Sequence, residues 1–126
     1  MDTSAVQCVN GAVNVAIRAT QTPVDLIVFT GSTEKGKLVA QSAAKNLVPC
    51  ILELGGKCPM IVDKSADLEY AANKCANVAF MNSGQVCIRI DYVLVESSLA
   101  NAFIEKLKGF METIYKQNQT YGKVIN

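Results

Sequence analysis

With 126 residues, the chain has the length of one ordinary domain and is too short for two full ones. Half of the residues are apolar and 18% are charged, a globular composition that argues against extensive disorder. Twelve Lys and Arg against eleven Asp and Glu leave a net charge of +1, which gives no electrostatic reason to expect a nucleic-acid or anionic-membrane partner. No histidine is present, so Ser-His-Asp and Cys-His hydrolysis and His-ligated zinc are excluded within these residues. The five cysteines (Cys8, Cys50, Cys58, Cys75, Cys87) are odd in number and contain no C-x-x-C, so neither a closed disulfide framework nor a metal knuckle is suggested. No basic leader and no run of membrane-helix length occurs, and reduced thiols in a cytoplasmic compartment are the expectation.

In chain order, Asn10 to about Thr20 reads as a short helix with Val13, Ala16 and Ile17 on one face. Leu26 to Thr30 is a continuous apolar run with a β-branched bias, as in a parallel strand covered on both faces. Gly31-Ser32-Thr33 turns the chain into a helix to about Asn46, with Leu38, Val39 and Ala43 as its inner stripe, and Pro49 stops it. Cys50–Leu54 is a second buried-looking strand ended by Gly55-Gly56, and Met60–Val62 a third. Ser65 offers an N-cap for a helix reaching about Met81. A strand near Tyr92–Glu96 and a helix from about Ser98 to Tyr115 follow, the latter turning Ala102, Phe103, Leu107 and Phe110 to the core. Strands alternating with helices predict an α/β, three-layer parallel-sheet fold.

Three segments can carry chemistry. Gly31-Ser32-Thr33-Glu34-Lys35-Gly36 follows a strand and opens a helix, where free N–H groups and the helix dipole favour an anion such as a phosphate. Its two glycines would allow a tight turn and close approach of a ligand; a plain strand-turn-helix junction fits the same residues. Extended to Lys37 it also fits the G-x-x-x-x-G-K phosphate loop, but Leu38 stands where that motif needs a Mg²⁺-ligating hydroxyl. Glu53 lies inside an apolar strand, where desolvation would raise its pKa toward that of a general base, unless it pairs with Lys57 or faces water. Cys87, behind Asn82-Ser83-Gly84-Gln85-Val86, is a candidate nucleophile if local dipoles activate it, and otherwise a buried hydrophobe like Cys8, Cys50 and Cys75.

In this order the segments resemble the aldehyde dehydrogenase superfamily. Phe29–Glu34 is similar to its F-T-G-S-T-E turn, Leu52–Pro59 to L-E-L-G-G-K-S-P, and Asn82–Cys87 to N-x-G-Q-x-C. Cys87 lies 34 residues beyond Glu53, as those two signatures are normally spaced. Cys87-Ile88, Asp91-Tyr92 and Val124-Ile125-Asn126 are similar to the class 3, fatty-aldehyde-like branch. The resemblance implies part of that fold: residues 1–54 as the end of a Rossmann-like NAD(P)-binding domain and 55–126 as the start of a catalytic domain. It implies oxidation of a small-molecule aldehyde with NAD or NADP, through Cys87 as nucleophile and Glu53 as general base. Gly31, Ser32, Thr33, Glu34, Lys35 and Gly36 would contact the cofactor pyrophosphate, no metal is needed, and homo-oligomerisation is left open. Two readings compete: a truncated, non-catalytic member of the same family, and, remotely, a P-loop nucleotidase.

Overall fold

The structure is a computed structural model that describes residues 2–117 and 122–125. The chain divides into two compact units, residues 1–55 and 56–126.

The first unit begins with helix α1 (Val13–Gln21), which buries none of its residues: Val13 and Ile17 of the expected apolar face are exposed. Strand β1 (Ile27–Gly31) leads into helix α2 (Thr33–Ala44) and strand β2 (Cys50–Leu54). The two strands pair in parallel, with Phe29 opposite Leu52 and Thr30 opposite Glu53. Helix α2 buries Gly36, Val39 and Ala43, while Leu38, expected in that stripe, is 57% exposed. The apolar run of β1 predicts cover on both faces, yet Val28 and Ile51 are exposed because α2 covers only one side of this pair.

The exit from α2 stores strain. Leu47 sits at φ 55°, in the left-handed region, while Val48 N–H donates to Ala43 O at 3.1 Å to close the helix end. Glycine is the residue that usually occupies such a position. Leu47 is 91% exposed, so its side chain offsets little of the conformational cost. Leu47→Gly is expected to raise stability by about 0.5–1 kcal/mol, read as a higher urea midpoint at unchanged slope.

The second unit repeats the strand–helix–strand order. Strand β3 (Cys58–Val62) is followed by helix α3 (Leu68–Ala79), a short 3₁₀ turn (Met81–Gly84) and strand β4 (Ile90–Val95). A second 3₁₀ turn (Ser97–Leu99) leads into helix α4 (Ala100–Gln117). Here β3 and β4 are parallel neighbours. Val62, Ala71, Ala72, Cys75 and Phe103 form the buried core, with Met60, Ile90, Val93, Val95, Leu107 and Phe110 packed around it. Ala102, expected to face the core, is exposed. The cap of α3 also differs from expectation. Asp67 accepts from Tyr70 N–H at 3.1 Å, whereas the Ser65 hydroxyl donates to Asp63 Oδ2 at 2.9 Å inside the preceding turn.

The strand pairing carries one irregularity: Cys58 faces Ile90, but Pro59 faces Tyr92, so Asp91 is the extra residue of a bulge. Pro59 has no N–H to give to the ladder, which makes this the natural place for it to break.

Candidate active site

In the first unit, β1 ends at Gly31 and Ser32 caps α2, its Oγ accepting from Lys35 N–H at 3.3 Å; Gly36 N–H donates to Ser32 O at 2.8 Å. The amides of Thr33 and Glu34 belong to the first turn, which has no intrahelical acceptors, so they and the helix dipole favour an anion at this end. The glycines work differently from the expectation. Neither has positive φ, so neither is needed for a tight turn. A Cβ on Gly36 would come within 2.7 Å of Leu54 Cδ2, and one on Gly31 within 2.5 Å of the Phe29 ring. Their smallness lets α2 sit against β2 and the Phe29 ring fold over the strand end. Ser32, Thr33, Glu34 and Lys35 are exposed, which leaves the turn open to a phosphate-bearing ligand.

Glu53 is not buried. Leu54 packs against Gly36 of α2, so strand alternation turns Ile51 and Glu53 to the opposite face, where both are exposed. Of the two readings the sequence leaves open for Glu53, a carboxylate facing water is the one found within this unit. It stands at the carboxyl end of its strand, where parallel sheets place ligands.

Cys87 lies in the second unit on an exposed turn closed by Arg89 N–H donating to Val86 O at 3.1 Å. The approach to this turn is strained. Asn82, Ser83 and Gly84 are successive left-handed residues, at φ 51°, 59° and 76°. Asn tolerates that region and Gly prefers it, which explains the residue types. Gln85 then holds the loop: its Nε2 donates to Asn82 O at 2.9 Å and to Lys123 O at 3.1 Å, and its Oε1 accepts from Ile125 N–H at 2.9 Å. The Ser83 hydroxyl donates to Gly122 O. The segment 122–125, of which the sequence singled out only Val124-Ile125 as part of a branch marker, is thus the other wall of the cysteine loop; Asn126 lies outside the described residues.

Sequence reasoning took Asp91 only as a branch marker and gave it no ion-pair role. The bulge aims this carboxylate at Lys57 Nζ, 2.9 Å away, and at the Arg89 guanidinium. Lys57, a partner for Glu53 in one sequence reading, is tied to Asp91. The hydrogen bond from Lys57, with the Arg89 charge behind it, holds the Asp91 carboxyl below its ordinary value of 3.8. A depressed folded pKa stabilises above the unfolded value and loses that contribution as pH falls through the folded one. Thermal melts of wild type and Asp91→Asn should therefore differ most above pH 3.8 and converge in stronger acid.

Among the other cysteines, Cys75 is buried and its thiol is pushed up by desolvation. Cys8, expected to be buried, is exposed. Among the described residues no cluster of metal-ligating side chains occurs, and no helix is long and apolar enough to cross a membrane.

The model of the aldehyde dehydrogenase family matches residues 1–124. The rat protein named aldehyde dehydrogenase, dimeric NADP-preferring, is 43% identical over all of this chain, which covers 29% of its length. Mouse aldehyde dehydrogenase family 3 member A2 is 38% identical, again over all of the chain and 27% of that protein. The substrate-bound AldH of Staphylococcus aureus superposes with a TM-score of 0.84 at 34% identity, covering all of this chain and 28% of that one. The parallel α/β units are accordingly part of a larger fold, and the chain spans less than a third of the relatives it matches. It belongs to the aldehyde dehydrogenase family, with family 3 members among its relatives.

Proposed function

We propose that the chain carries the nucleophile and general base of an NAD(P)-dependent aldehyde oxidation. The observation that carries this reading is the pair of signatures around Glu53 and Cys87, 34 residues apart, in a chain that belongs to the family. The Cys87 thiolate attacks the aldehyde carbonyl carbon and forms a thiohemiacetal. When bound, NAD or NADP would supply the hydride acceptor that this oxidation requires, and the acyl group would remain on Cys87 as a thioester. Glu53 takes a proton from water, and the resulting hydroxide adds to the thioester carbonyl carbon; the C–S bond breaks, the carboxylic acid is released and Cys87 returns as thiolate. The exposed Gly31–Gly36 turn, with its first-turn amides, is suited to the cofactor's pyrophosphate, and its open side chains fit that use. Residues 1–54 then serve the cofactor and 55–126 the aldehyde.

The rat relative's name, dimeric and NADP-preferring, supports a homo-oligomer and a dinucleotide cofactor; the compartment we propose is cytoplasmic. The test is NAD(P)H absorbance on adding an aldehyde and either dinucleotide, with quenched samples searched by mass spectrometry for an acyl group on Cys87. Dinucleotide binding with neither signal would favour the second reading, a non-catalytic member of the family. The exposed apolar face of the β1–β2 pair, which includes Val28 and Ile51, is the observation behind that alternative.

A further inference from the structure

We propose that Cys58 is a resolving thiol for Cys87, so that a peroxide converts the pair to a disulfide rather than over-oxidising Cys87. Two observations carry this. The Cys58 sulfur lies 3.2 Å from the backbone oxygen of Cys87, to which its S–H donates. Standard bond lengths then put the Cys87 Cα within about 6 Å of that sulfur. A disulfide needs its Cα atoms about 4.4–6.8 Å apart, a range that this short sulfur-to-backbone distance admits. Independently, Asp91 grips Lys57, the neighbour of Cys58, and Arg89, two residues beyond Cys87. One carboxylate therefore keeps both cysteine segments at the same end of the β3–β4 ladder.

Access suits the chemistry. Cys87 is exposed on its turn and Cys58 is partly exposed at the first position of β3. Cys75, the unit's remaining cysteine, is buried with its thiol pushed up, and so is a poor competitor. In the first step the Cys87 sulfur attacks one oxygen of hydrogen peroxide; the O–O bond breaks and hydroxide leaves, giving a sulfenic acid. In the second, the Cys58 sulfur attacks that of Cys87; the S–S bond forms and the S–O bond breaks. Hydroxide leaves again and takes up the thiol proton as water. Both electrons come from the two thiols, and a dithiol reductant reverses the bridge. The pairing needs only two sulfurs and a peroxide; its consequence for turnover rests on the reading of Cys87 as nucleophile.

The experiment treats the reduced chain with hydrogen peroxide, blocks remaining thiols, and digests it unreduced with trypsin and chymotrypsin for mass spectrometry. Cleavage after Phe80 separates Cys75 from Cys87. The expected product joins the peptide beginning at Cys58 to the one containing Cys87, lighter than their sum by two hydrogen atoms. Cys58→Ser keeps a donor for the Cys87 carbonyl, and circular dichroism confirms its fold. In it the link is absent and sulfinic plus sulfonic Cys87 rises at least about fivefold. Equal over-oxidation in both chains, or Cys87 joined to a different cysteine, overturns the inference. A chain that forms the link but oxidises no aldehyde keeps it and removes the proposed function instead.

Discussion

Cys87→Ser is expected to lower aldehyde-dependent NAD(P)H formation at least about a thousandfold. The reason is the fate of the nucleophile's proton. A cysteine is a few per cent thiolate at neutral pH and intrinsically reactive, whereas a serine hydroxyl needs a partnered base. The chain has no histidine to act as one. The Ser side chain would fit, since Cys87 is exposed on its turn and the loop is fixed by Gln85 and the left-handed run at Asn82–Gly84. Loss of rate in this variant therefore reports chemistry rather than unfolding. Glu53→Gln should behave differently: a first burst of NAD(P)H survives while steady turnover falls about a hundredfold or more, because only thioester hydrolysis needs the carboxylate. Signal that persists in Cys87→Ser would remove Cys87 from the mechanism.

Much of the fold was legible because strand and helix periodicity are local. The runs at 27–31 and 50–54 are bounded by Pro, Gly and Asp, and the helix between them buries Val39 and Ala43 of its expected stripe. Cap choice was less legible because Ser65 and Asp67 are both good capping residues. The turn at Asp63 claims the Ser65 hydroxyl, and that leaves Asp67 to cap. Which of the two readings of Glu53 holds was not legible for a related reason: an apolar strand reveals alternation but not which face a helix covers. Gly36 against Leu54 decides it, and that contact lies between residues far apart in sequence. The Asp91 clasp and the Cys58 contact were invisible because both arise from the β3–β4 register, whose bulge no single segment encodes. The loop bearing Cys87 was legible as a motif, but its second wall, residues 122–125, is a long-range partner joined through Gln85.

Phe103→Ala is expected to destabilise the second unit by about 3–5 kcal/mol, among the largest effects a single core truncation produces. Ala71 and Ala72 bring α3 close to its neighbours and fill little volume, so Phe103, 2% exposed, is the largest side chain of the buried cluster. The neighbouring alanines cannot extend to close the cavity, so its filling would fall to the partly buried residues around the cluster. A loss of this size approaches the whole stability of a small unit, about 5–15 kcal/mol for typical proteins. Cys75 provides the readout, since it is buried in the same cluster and burial pushes its thiol up. Alkylation of Cys75 requires opening of that core. A loss of about 3 kcal/mol raises the open population, and hence the labelling rate, roughly a hundredfold at fixed pH and reagent. The exposed Cys87 provides an internal reference whose labelling should change little between the two chains. If Cys75 reacts at the wild-type rate in Phe103→Ala, the aromatic ring is not what seals α3 and α4 against the sheet.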